Sequence, residues 1–213
     1  MLDYESLLKW SDKQWENSIL PSLSEFISIE ALSPGFEPRW EEKGELSATL
    51  DLFQNWADIQ GIEGLESHRF KLDGRTPLLI IKVKGSLPGE ILFYSHLDKQ
   101  PSKPDLWSDG LSPFVGKRRG EWLYGRGSID DGYGGYLCIS AIKALQAHGM
   151  DHPSATFLIE TCEESGSYDL PAYLDHCTPY LGKPDLVVVM DSGGPDYDLS
   201  LIHISEPTRR IEI

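Results

Sequence analysis

Between residues 90 and 192, short apolar runs alternate with stretches of helical periodicity, and this alternation constrains the chain more than any other feature. "EILFYSHL" (90–97), "SATFLIET" (154–161) and "PDLVVVMDS" (184–192) are strand-length and rich in Val, Ile, Leu and Phe. An apolar helical stretch at 132–148, with Leu137, Ile139, Ala141, Ile142 and Leu145, separates the first two. "YDLPAYLDHC" reads as a helix between the second and third. Strand–helix–strand–helix–strand implies crossover connections, hence parallel strands. Wholly apolar strands fit burial on both faces. The reading is an α/β fold, a mostly parallel sheet flanked by helices.

Upstream, apolar residues recur at helical spacing over 4–32, with Pro21 expected to bend or divide the run. "SPGFEPRWEEKG" (33–44) reads as a loop. Residues 45–61 read as a second amphipathic helix stopped by Gly61, and 76–85 as a strand. "SLPG" is expected to turn into the strand at 90, and 99–114 to be a polar loop.

A net charge of −15 argues against nucleic acid or an anionic membrane as partner. No apolar run reaches the roughly 18 residues of a membrane span. The N-terminus lacks the basic-then-apolar pattern of a signal peptide. Cys138, Cys162 and Cys177 have no paired spacing and read as reduced thiols, so the expected location is the cytoplasm.

In an open parallel sheet, ligands gather at the carboxyl ends of the strands. The strand at 90 ends in His96 and Asp98, that at 154 in Glu163 and Glu164, that at 184 in Asp191. Asp130 and Asp131 lie just before the helix at 132. So many carboxylates in one place would repel unless a cation, or two, joined them. His96 and Asp98 share a strand face, so Asp98 could fix the ring of a metal-bound His96. A surface ion pair at a solvated strand end would leave the same letters. Glu163 and Glu164 can serve one site only if the strand has ended, and Ser165-Gly166 supplies the break. One could then ligate while the other takes a proton from water. "GRGSIDDG" (125–132) lacks the third glycine and the lysine of phosphate loops; Gly125 and Gly127 are expected to make a turn that delivers Asp130. His68, His148, His152 and His176 are expected on the surface or in turns.

"SHLDKQP", "LYGRGSIDDG", "TCEESGS" and "VMDSG", in this order and at these positions, resemble the zinc-dependent exopeptidase and deacylase family, which includes carboxypeptidase G, succinyl-diaminopimelate desuccinylase and carnosinase-like dipeptidases. The resemblance covers essentially 1–198. It implies His96 and Asp191 as ligands of one ion, Asp130 as the bridging carboxylate and Glu164 as ligand of the other ion. Asp98 would orient His96, and Glu163 would be the general base and acid. The frequent lysine after the acidic pair is Gly132 here. The implied cofactors are two zinc ions, with cobalt or manganese as substitutes. The implied reaction is hydrolysis of small peptides or N-acyl amino acids. An inactive or regulatory metal- or peptide-binding protein of the same fold is the alternative.

The family's remaining histidine ligand and its dimerising lid are expected beyond these residues, so 1–198 reads as the N-terminal part of a catalytic domain. Leu199–Arg209 matches, residue for residue, the translation of a transposon-end adapter from sequencing libraries, and 199–213 reads as a non-native tail.

Overall fold

The computed structural model describes residues 3–191. Seven helices and seven strands follow one another: α1 Tyr4–Gln14, α2 Leu20–Ser28, α3 Trp40–Lys43, α4 Glu45–Asp58, β1 Leu65–Phe70, β2 Leu78–Val83, β3 Leu87–His96, β4 Lys117–Arg119, β5 Trp122–Tyr124, α5 Gly132–Ala147, β6 Pro153–Glu160, α6 Leu170–His176, α7 Thr178–Leu181 and β7 Leu186–Val189. The main sheet has the order β1-β2-β6-β3-β7. β6, β3 and β7 are parallel, β2 pairs antiparallel with both β1 and β6, and β2 alone therefore opposes the common direction. The sheet is mainly parallel, as the sequence pattern implied.

Side-chain alternation sorts the core into two layers. Leu79, Ile81 and Val83 of β2 and Ala155, Phe157 and Ile159 of β6 face α2, α4 and α5, where Phe26, Ile27, Leu50, Phe53, Tyr136 and Ile139 bury against them. Leu78, Ile80 and Leu158 face the other way, onto Tyr173 and Cys177. Helices thus cover both faces, and the strand ends between the layers are left to carry chemistry.

Several expectations change in detail. The first helical run is continuous, passing through one π-helical stretch, Trp15–Ile19, that ends two residues before Pro21. Pro21 has no N–H to donate, so the widened turn precedes it without a break. β3 begins at Leu87, because "SLPG" is absorbed as an irregular strand start with a register shift between Leu87 and Glu90. β1 and the β4–β5 hairpin carry no strong sequence alternation and were not expected. β7 is not buried on both faces: Leu186, Val187 and Val189 are each more than half exposed, since β7 is the edge strand. His68 lies in β1, and His152 is buried in the turn before β6. All three cysteines are buried and free. Residues 199–213, read above as a non-native tail, lie outside the described residues. Among the described residues no helix is long and apolar enough to cross a membrane.

The corner after β3 is locked by Lys99. Its side chain is fully buried, and its Nζ donates to the carbonyls of Phe26 (2.8 Å), Ile27 (3.3 Å) and Ile29 (2.6 Å) at the end of α2. A helix C-terminus leaves carbonyls short of intrahelical partners, and here the Phe26 carbonyl also accepts from the Ile29 N–H. The Lys99 backbone adds bonds from its N–H to Ala31 and from Ser33 to its carbonyl. The Lys99 stem and the Phe26 ring also press on Gly127, whose φ is +85°. A Cβ there would stand 2.7 Å from Lys99 Cε and 2.9 Å from the Phe26 ring. Gly127→Ala therefore combines left-handed backbone strain with overpacking, and should cost about 2 kcal/mol or more. Urea unfolding should show a lower midpoint at an unchanged slope.

Candidate metal centre

β3 ends at His96, in register with Glu160 at the end of β6. The His96 side chain is fully buried. Its Nδ1 lies 3.1 Å from the Asp98 backbone carbonyl and 3.4 Å from Asp98 Oδ1. Both neighbours are acceptors, so in the neutral ring the proton sits on Nδ1 and Nε2 keeps its lone pair. Nε2 is buried and has no aligned hydrogen-bond partner, although Asp130 Oδ1 is 3.2 Å away. Glu163 Oε2 at 3.7 Å and Asp191 Oδ2 at 3.8 Å approach the same nitrogen.

Asp98 does more than the sequence suggested. Its two carboxylate oxygens accept from the backbone N–H groups of Glu163 (3.1 Å) and Glu164 (3.0 Å). One buried carboxylate thus fixes both the imidazole and the paired glutamates. The glutamates can share one site because β6 has ended at Glu160, and Glu163–Ser165 form a single 3-10 turn. Gly166 follows at φ +91°. Ser165 Oγ is tied to Ser33 Oγ (2.6 Å) and accepts from the Gly35 N–H (2.8 Å), which pins this turn to the 33–35 loop.

Asp130 and Asp131 arrive on the loop before α5. Gly132 N–H bonds to the Gly127 carbonyl, closing the turn that presents Asp130. Gly125 is needed for close approach, since a Cβ there would collide with Ile27. Asp131 is buried and accepts from the His96 N–H at 3.2 Å. Asp191 lies two residues beyond β7, itself paired with β3. All six residues singled out from the sequence are therefore brought together: His96, Asp98, Asp130, Glu163, Glu164 and Asp191. His96, Asp130 and Glu164 offer ligand atoms within 4.8 Å of one another, as do His96, Glu163 and Asp191.

The electrostatics are those of crowded anions around one ring. Burial alone would lower the His96 pKa, but the Asp130, Asp98 and Asp131 carboxylates outweigh it and push it up to about 11. The imidazole next to Asp130 holds that carboxyl below its ordinary value. Burial pushes Asp131 up to about 7 and Glu164 to about 7, and it raises Glu163 too. Glu164 Oε1 and Asp131 Oδ1 are buried without partners. An imidazole nitrogen that can give up its proton, with unpartnered carboxylate oxygens beside it, is a donor set that fits a divalent ion such as zinc.

Three neighbours went unnoticed in the sequence. Glu160 is buried at the end of β6 and accepts from Tyr94 (2.6 Å) and Ser167 (2.8 Å), with Oε2 unpartnered. Lys99 locks the corner behind Asp98. Gln100 Nε2 donates to Glu164 Oε2 at 2.6 Å. The polar run "DKQ" at the end of an apolar strand was a signal for the last two; Glu160 closes an apolar strand and offered only its charge.

The chain is similar to known proteins in sequence and in fold. The model of peptidase family M20/M25/M40 matches residues 92–212. The chain is 27% identical over 187 residues to human Beta-Ala-His dipeptidase, covering 83% of this chain and 36% of that protein. It is 32% identical over 130 residues to succinyl-diaminopimelate desuccinylase of Sphingopyxis alaskensis, covering 60% of this chain and 31% of the relative. It thus spans about a third of the length of these relatives. In fold it resembles human carnosine dipeptidase 1, with a TM-score of 0.69 at 24% identity, covering 87% of this chain and 40% of the other. The dipeptidase Dug1p of Saccharomyces cerevisiae superposes with a TM-score of 0.71 at 22% identity, covering 89% and 41%. The chain belongs to peptidase family M20/M25/M40.

Proposed function

We propose that this chain carries the metal-binding and proton-transfer residues of a two-zinc hydrolase that cleaves amide bonds in small peptides or N-acyl amino acids. The observation that carries this reading is the unpartnered Nε2 of buried His96, approached by carboxylates from three separate segments. Family membership supports hydrolysis of peptide bonds, and the relatives named as dipeptidases and a desuccinylase support small substrates.

His96, Asp130, Glu164 and Asp191 are the residues that would hold the ions. Bound divalent ions polarise a carbonyl and make a nearby water more acidic. Asp98 holds the imidazole in the tautomer that leaves Nε2 free. Glu163 stands beside His96 on the turn that Asp98 anchors, with a side chain about a third exposed. Burial raises its pKa, which makes it a better base than an ordinary glutamate. It takes a proton from the attacking water at one carboxylate oxygen and returns it to the departing amine nitrogen. The bond from the carbonyl carbon to that nitrogen breaks as the water oxygen becomes part of the new carboxylate.

Two outcomes follow for the protein expressed from its whole gene. Glu163→Gln should lower turnover of a dipeptide by about 10²–10⁴-fold while zinc affinity stays near normal. Assaying both properties on the same preparation checks this; equal loss of both would reverse the roles of the glutamates. The second outcome concerns protons. A ring with a pKa of about 11 is cationic at neutral pH and must release its Nε2 proton to take an ion. Zinc affinity should therefore rise with pH, and calorimetry in buffers of different ionisation heat should show proton release. In the ion-free protein the same raised pKa adds stability that is full below about 6.5. That contribution is lost as pH climbs through about 11.

A further inference from the structure

We propose that Gln100 is a positioning residue for Glu164, holding one carboxylate oxygen so that the other faces His96 and Asp130. This rests on the metal-site reading above and extends it to a residue outside the ligand set.

Gln100 Nε2 and Glu164 Oε2 are 2.6 Å apart, and a carboxylate offers only acceptors, so the amide nitrogen must be the donor. The other oxygen, Oε1, is buried without a hydrogen-bond partner. Glu164 is also one of the three residues whose ligand atoms cluster within 4.8 Å around His96. The two oxygens are therefore divided: one is engaged by the amide, and the other is open for an ion.

Both ends of this contact hang from the same corner. Glu164 is fixed at its backbone by Asp98 Oδ2. Gln100 follows Lys99, whose side chain and backbone are bound to α2 and to Ala31 and Ser33. Asp98 and Gln100, two residues apart, thus orient one proposed ligand each, His96 and Glu164. An amide suits the second task. It donates a proton without adding charge, so Glu164 is oriented and keeps the negative charge a cation needs. A lysine in the same place would neutralise it.

The test is zinc titration by calorimetry on the full chain, comparing wild type with Gln100→Leu and Gln100→Ala, in Glu164 and Glu164→Ala backgrounds. The proposal expects one binding step to weaken by about 10–100-fold in both Gln100 variants while the other is unchanged. Gln100 is exposed, so the melting temperature of the ion-free variants should not move. In the Glu164→Ala background the Gln100 substitutions should cause no further loss, because the residue acts through Glu164. Wild-type binding by both variants would overturn the proposal and leave the metal site standing. So would equal weakening of both steps together with a lower melting temperature. A wild-type chain that takes up no zinc would overturn both the site and this inference.

Discussion

The carboxylate of Asp98 is buried at the corner where β3 gives way to loop, and three residues of the site, on two separate segments, are set by it. It lies against the Nδ1 side of His96 and accepts the backbone N–H groups of Glu163 and Glu164. A buried carboxylate is costly unless its oxygens are hydrogen-bonded, and here backbone donors from a different strand end supply the bonds. That requirement joins β3 to β6 beyond the last strand pair. It also faces Nε2 of His96 towards Asp130, Glu163 and Asp191.

The rest of the fold can be understood as a holder for this corner. Lys99 ties the next residue to α2, and α2 in turn packs with α4 and α5 over one face of the sheet. The Lys99 stem and Phe26 support Gly127, and the turn that starts there brings Asp130 to the ring. The fully buried Lys99 side chain thus links the helical layer to two of the segments that carry the site. Its amine donates to carbonyls at the end of α2 rather than to an acid, and burial lowers its pKa to about 7.

Much of this arrangement was legible in the sequence because polar residues stood where apolar strands should end. His96, Asp98, Glu163, Glu164 and Asp191 each lie within a few residues of the end of an apolar run, and Asp130 precedes a helix after two glycines. Parallel topology then gathers them at one edge. What the letters could not convey was the backbone bonding: Asp98 oxygens meeting the N–H groups of residues about 65 positions away leave no pattern in side-chain type. Lys99 and Gln100 read as solvent-facing loop residues, yet one is fully buried and the other is bonded to Glu164. β1 and the β4–β5 hairpin escaped for a simpler reason. They are mostly exposed or half-buried, so hydrophobic alternation, the signal that reveals a strand, is weak there.

The central claim is that His96 Nε2 and the surrounding carboxylates form a divalent-ion centre. Anomalous diffraction at the zinc absorption edge, from crystals grown with zinc, tests it most directly. The account predicts a peak about 2.0–2.1 Å from His96 Nε2, with oxygens of Asp130, Glu164 or Asp191 at about 2.0–2.2 Å. A well-ordered site with no peak there, or with zinc bound only to residues away from His96, would contradict it.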